Sequence, residues 1–187
     1  MACERLELTP GPSASDGGRP DASLPPFSTV AVDGGSFTIA RAVSDTQFIA
    51  FDFDQSTEVP FVDALWDIAF RRQRIRLRGG VNGDGGVCAT PVVDAGFAEV
   101  TAIPPESTCV FDAADGDDAN SEPDTVFENA ATWYAYNPMS HVLTPRPIVY
   151  VVRSDMGEHY KVAIEGYYDM AGTPAVLQMR WAPMPVR

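Results

Sequence analysis

WDIAFRRQRIRL, residues 66–77, is the stretch on which the reading of the fold turns. It contains neither glycine nor proline. Trp66, Ile68 and Phe70 alternate with Asp67, Ala69 and Arg71, the two-residue period of a strand. After Arg71 the phase inverts. Ile75 and Leu77 become the apolar set, and Arg72, Arg74, Arg76 and Arg78 share the other face. Such an inversion predicts a bulge, or a strand that leaves one sheet for another. Arginine also suits helices, but the alternation of aromatic and branched residues favours strand. So does GGVNGDGG, which follows at once over residues 79–86.

Working outward, the same logic predicts strands on both sides. Residues 28–32 and 36–42 flank Asp33-Gly34-Gly35, a hairpin signal. TQFIAFDF, residues 46–53, places Ile49, Phe51 and Phe53 on one face. FAEVTAI, residues 97–103, is expected as a short strand that Pro104-Pro105 ends. Residues 132–136 are aromatic-rich, and residues 148–152 form a continuous apolar run, as in a strand buried on both faces. Residues 159–168 and 175–181 alternate, and tight turns join these last three strands into an antiparallel meander. No amphipathic helix is evident. The expected class is all-β, an antiparallel two-sheet sandwich-like domain.

The length of 187 residues suits one domain with a tail. TPGPSASDGGRPDASLPP lies within residues 1–27 and lacks periodicity, so a disordered linker is expected there and a folded domain over 28–187. No apolar run is long enough to span a membrane as a helix. The 26 acidic residues against 13 basic ones give a net charge of −13, which disfavours nucleic acid and anionic membranes as partners. Eight acids and no base lie between Glu106 and Glu128, but DAADGDDANSE lacks the glycine and glutamate spacing of an EF-hand. A solvated acidic loop is expected. GxSxG, HExxH and P-loop motifs are absent from the sequence, so no enzyme activity is expected.

The chain has three cysteines. Cys88 and Cys109 sit in turn-rich sequence, where an oxidised pair implies export; the alternative is two buried thiols. Cys3 precedes a Gly/Ser/Pro tether, the position at which a bacterial lipoprotein carries its lipid.

Several blocks together resemble one family. QFIAFDFDQSTEV is followed by LWDIAFRR and a Gly/Asn-rich turn, then by AEVTAIP. Last comes WYAYNPMSHVLTPRPIVYVVRSDMGEHYKVAIEGYYDMAGTPAVLQMRWA. In this order they resemble the HmuY family of bacterial heme-binding lipoproteins over roughly residues 46–182. The resemblance implies an all-β fold, an N-terminal lipid anchor and outer-membrane placement. It also implies heme capture without catalysis, transfer to an outer-membrane receptor, and iron held by a His pair or a Met pair in a cleft at one end of the sheets.

Heme iron takes a neutral imidazole or a thioether. His141, in NPMSHVLTP between two strands, is the leading candidate, with Met139 beside it; the two share a face if that segment is extended. They are too close in sequence to take opposite axial positions, so either a single protein ligand or a second one from Met156 or Met170 is expected. His159, on the polar side of its strand, is expected to face solvent. Arg72 and Arg74 are candidates for pairing with propionates. An alternative is a structural or protein-interaction module that keeps the fold without heme binding.

Overall fold

A computed structural model describes residues 24–62, 65–116 and 122–185. Twelve strands occur among the described residues. They are β1 (Phe27–Val32), β2 (Gly35–Arg41), β3 (Ile49–Asp52), β4 (Thr57–Val59), β5 (Ile68–Arg71), β6 (Arg74–Leu77), β7 (Cys88–Val93), β8 (Tyr134–Asn137), β9 (Val142–Pro145), β10 (Ile148–Arg153), β11 (His159–Tyr168) and β12 (Pro174–Met184). A six-stranded antiparallel sheet runs β1-β2-β12-β11-β10-β7, a four-stranded one β4-β3-β5-β6, and β8-β9 form a separate hairpin. The fold is all-β. Most of the expected tail, with Cys3, lies outside the described residues, while Phe27 is buried and opens β1.

The main core lies between the two larger sheets. Phe51, Phe53, Ile68, Phe70, Ile75 and Leu77 meet Tyr150, Val162, Leu177, Met179 and Trp181. The meander β10-β11-β12 is as expected, and β10 is buried on both faces because a second layer covers its outer side. That layer is the segment expected to be a strand, residues 96–103. It is instead a turn and irregular chain. Lys161 explains the difference: its ammonium donates to the carbonyls of Phe97 and Val100 at 2.9 and 3.1 Å, taking acceptors that a ladder would use.

The stretch 66–77 also differs from expectation. It is neither bulged nor a sheet-crossing strand. It is a hairpin whose turn is Arg72-Gln73, with Phe70 opposite Ile75 and Ile68 opposite Leu77. Directly opposed residues share a face, so a two-residue turn inverts the phase. The arginines are not a free face. Arg71 and Arg76 both hydrogen-bond Glu122 at 2.6 Å and both lie over the Phe48 ring.

Two buried carboxylates fasten loops to this frame. Asp67 accepts from Phe53 N and Asp155 N, and Asp112 from Leu77 N, Val126 N and the Asn82 amide. Asp112 therefore departs from the expected solvated acidic loop, because three donors replace its water. Cys88 and Cys109 are joined as a disulfide.

Candidate ligand cleft

Three connections meet at one end of the molecule: the β5–β6 turn, the β8–β9 hairpin and the β11–β12 turn. Between them lies a cleft of about 730 Å³, lined by Arg72, Tyr134, Tyr136, His141, Leu143, Tyr167, Tyr168 and Pro174 among others. The volume falls within the roughly 300–1,000 Å³ of small-molecule sites.

Each wall is held from several sides. Asn137 organises the tip of the β8–β9 hairpin: its side-chain oxygen accepts from Met139 N at 2.9 Å and Ser140 N at 3.2 Å. His141 N donates to the Asn137 carbonyl at 2.8 Å, closing a five-residue turn. The hairpin is docked on the sheet by Leu143 N, which donates to the Tyr168 hydroxyl at 3.0 Å. Trp133 Nε1 donates to the Gln73 carbonyl at 3.0 Å, and Arg72 N to the Ala42 carbonyl at 2.7 Å, which together anchor the β5–β6 turn.

Tyr167 and Tyr168 are consecutive, yet both reach the cleft. A regular strand sends neighbours to opposite faces. Here the β11–β12 register shifts on either side of Gly166, and the bulge re-aims the strand end. A Cβ at Gly166 would stand 2.7 Å from the end of the Gln178 side chain, which would have to move and give up its bond to the Tyr168 carbonyl.

Backbone strain gathers here as well. Five non-glycine residues have positive φ among the described residues. Two of them, Arg72 (φ 53°) and His141 (φ 56°), line the cleft, and Ala175 (φ 66°) adjoins Pro174. Such conformations persist where the surroundings fix them and concentrate at functional sites.

Beside the four phenol hydroxyls, the lining carries one guanidinium, one imidazole, the Gln73 amide and the Ser140 hydroxyl. Arg72 approaches Asp45 at 3.2 Å, at the exposed rim. Burial raises the Tyr167 hydroxyl above its usual pKa although Arg72 hydrogen-bonds it and acts the other way; burial and then Glu128 raise Tyr134. Both phenols therefore stay protonated at neutral pH. Tyr136 hydrogen-bonds His141 Nδ1. Chemically, this is a largely aromatic slot with one guanidinium and one imidazole, suited to a flat apolar ligand that carries a carboxylate.

Of the expected site residues, His141 and Arg72 are brought together. Arg74 is not with them; it turns to Glu122 at 3.8 Å and Glu128 at 4.0 Å. Met139 is 90% exposed at the hairpin tip, and because the chain there is a turn rather than extended, it does not share the His141 face. Met170 is exposed on the β11–β12 turn, two residues before Gly172, which lines the cleft. Met156 lies at the other end of β11, roughly 30 Å away at about 3.3 Å per residue. His159 is half-buried, with no hydrogen-bond partner for Nδ1 among the described residues. The four cleft tyrosines were not anticipated. Their signal was present: WYAY and GYY place four of the six tyrosines next to the two turns.

Comparison with known proteins agrees with this architecture. A family model described as "HmuY protein" matches residues 44–181. A crystal structure from Bacteroides vulgatus, described as an HmuY-like heme binding protein, aligns with TM-score 0.63 and 16% identity, covering 86% of this chain and 98% of its own. The apo HmuY analog of Tannerella forsythia gives TM-score 0.63 at 12% identity, covering 88% and 100%. A Bacteroides fragilis protein described as a lipoprotein gives 0.60 at 14%, covering 83% and 94%. At these identities the structural likeness speaks to fold alone. Among curated proteins no match was found.

Proposed function

The chain belongs to the HmuY family, and from that premise we propose that it is a non-catalytic, hemophore-like lipoprotein that binds heme or a related tetrapyrrole. The observation that supports this reading is the cleft in which His141, Arg72 and four tyrosines converge. Aromatic rings and Leu143 offer stacking and apolar contact to a flat macrocycle. Arg72 offers a charge-assisted bond to a propionate. His141 Nε2 would be the nitrogen offered to the iron, and Met170, exposed on the β11–β12 turn beside the cleft, would be the candidate for a second ligand. When bound, the heme supplies a redox-active iron; the protein's part is to hold it and to limit water.

Hemin titration tests the reading. Wild type should give a shifted Soret band, and His141→Ala should bind at least tenfold more weakly with a changed spectrum. A wild type without a Soret shift would leave the alternative, an interaction module on the same fold. One observation favours that alternative: the cleft lining holds a single imidazole and no thioether.

Export, a tether over residues 1–27, a folded unit over 28–187, lipidation at Cys3 and delivery to an outer-membrane receptor complete the proposal. The disulfide supports export, since such bonds persist in oxidising compartments. Among the described residues no helix is long and apolar enough to cross a membrane.

A further inference from the structure

We propose that Tyr136 is the positioning residue for His141, fixing which ring nitrogen the imidazole presents to the cleft; this rests on the heme reading above. The two residues belong to one hairpin. Tyr136 ends β8 one residue before Asn137, and His141 closes the turn that Asn137 organises. Their rings lie 5.9 Å apart, and the Tyr136 hydroxyl meets Nδ1. Nε2 has no bonding partner among the described residues.

A neutral imidazole carries one proton. Coordination through Nε2 requires that proton to sit on Nδ1, where it is donated to the Tyr136 oxygen. The phenolic hydrogen then turns to water, which it can reach because Tyr136 is half-exposed. The change is a shift of tautomer within His141, so no proton is gained or lost overall. An imidazole whose second nitrogen is hydrogen-bonded is held in orientation and is a more basic ligand. The left-handed backbone at His141 adds to this. The main chain is thus held by Asn137 and Nδ1 by Tyr136.

The obvious rival is the reverse arrangement, with Tyr136 as phenolate ligand and His141 as the base that holds its proton. Tyrosine does ligate heme iron elsewhere. The geometry favours His141 as the ligand. Its backbone is the strained one, whereas Tyr136 lies in regular strand that would suit any aromatic residue.

The test compares wild type, Tyr136→Phe and His141→Ala, with circular dichroism confirming that each is folded. In the heme-free protein, the ring ¹⁵N resonances of His141 should move in Tyr136→Phe; unchanged resonances overturn the contact and the proposal. In hemin titrations Tyr136→Phe should bind about tenfold more weakly, the low end of what losing such a partner costs. Its ferric spectrum should shift toward high spin and its reduction potential should rise, because a less basic imidazole stabilises ferric iron less. A purely structural role would leave spectrum and potential as in wild type, and that result overturns the proposal while the heme reading stands. If Tyr136→Phe loses the complex more completely than His141→Ala, the phenolate is the ligand and the proposal is again overturned. If wild type itself fails to bind hemin, the heme reading fails and the inference falls with it.

Discussion

Asp67 is fully buried, and its two oxygens bond the backbones of two different turns. Burial is the main reason its pKa rises from 3.8 to about 7; the Phe53 and Asp155 amides oppose that rise, and the nearby Asp155 and Asp54 charges add to it. The folded state therefore keeps a proton that the unfolded chain releases near pH 4. This group's contribution to stability is full below that point and is lost as pH climbs through 7, by about 1.4 kcal/mol per pH unit within the window. Urea midpoints of wild type should fall between pH 4 and 7 relative to those of Asp67→Asn. A difference that stays constant across the window would show that Asp67 does not titrate there. At this scale the sequence was half legible. His141 stood out because a stiff connection between strands suits a ligand, and Arg72 because it is charged. The tyrosines were missed because Tyr167 and Tyr168 reach one cleft only through the bulge at Gly166, which alternation does not reveal.

The hairpin of β5 and β6 shows what pattern reading catches and what it misses. Both strands and their apolar faces were visible in WDIAFRRQRIRL. The turn was hidden because Arg72-Gln73 carries none of the glycine, asparagine or aspartate that marks a two-residue loop. Arg72 occupies positive φ, where a residue with a Cβ is disfavoured by about 1–2 kcal/mol. Arg72→Gly should remove that cost. We expect unfolding free energy from urea titration to hold or rise by up to about 1 kcal/mol, since the Asp45 pair that is lost is exposed and worth little and the Tyr167 hydroxyl that loses its Arg72 partner lines a cleft open to water. Hemin affinity of the same variant should fall several-fold if the guanidinium meets a propionate. A variant that is less stable than wild type, with unaltered affinity, would mean that Arg72 is kept for the fold. The opposite error occurred at residues 96–103, where strand-like composition forms a covering layer. Its carbonyls are taken by Lys161, 61 and 64 residues away in sequence, a partner that local pattern does not indicate.

Across the whole molecule, the site and the covalent staple lie at opposite ends. Cys88 is paired with Arg153 at the end of β10, which neighbours His159 on β11. The cleft sits at the other end of β11, beyond Tyr168. Sheet order explains how both could be anticipated without their relation being seen. The cysteines and the His141 connection were each legible from local sequence, although β9 within that connection was not, and their separation follows from how β7, β10 and β11 are laid side by side. The separation has a consequence. The disulfide links residues 21 apart, and closing such a loop is worth about 3 kcal/mol in the chain-entropy model. Its reduction should lower the urea midpoint markedly, because the loop it closes carries residues 96–103, the layer that covers the outer side of β10 without strand pairing of its own. It should leave hemin affinity within about twofold of the oxidised protein as long as the chain stays folded, because changes at well-separated sites act independently. Thiol titration of the unreduced, denatured and unlipidated chain should find one free thiol, that of Cys3, and after reduction three. Should reduction weaken hemin binding in parallel with stability, the two ends would be coupled through β10 and β11, and the cleft would depend on the tension of the whole sheet rather than on its own turns.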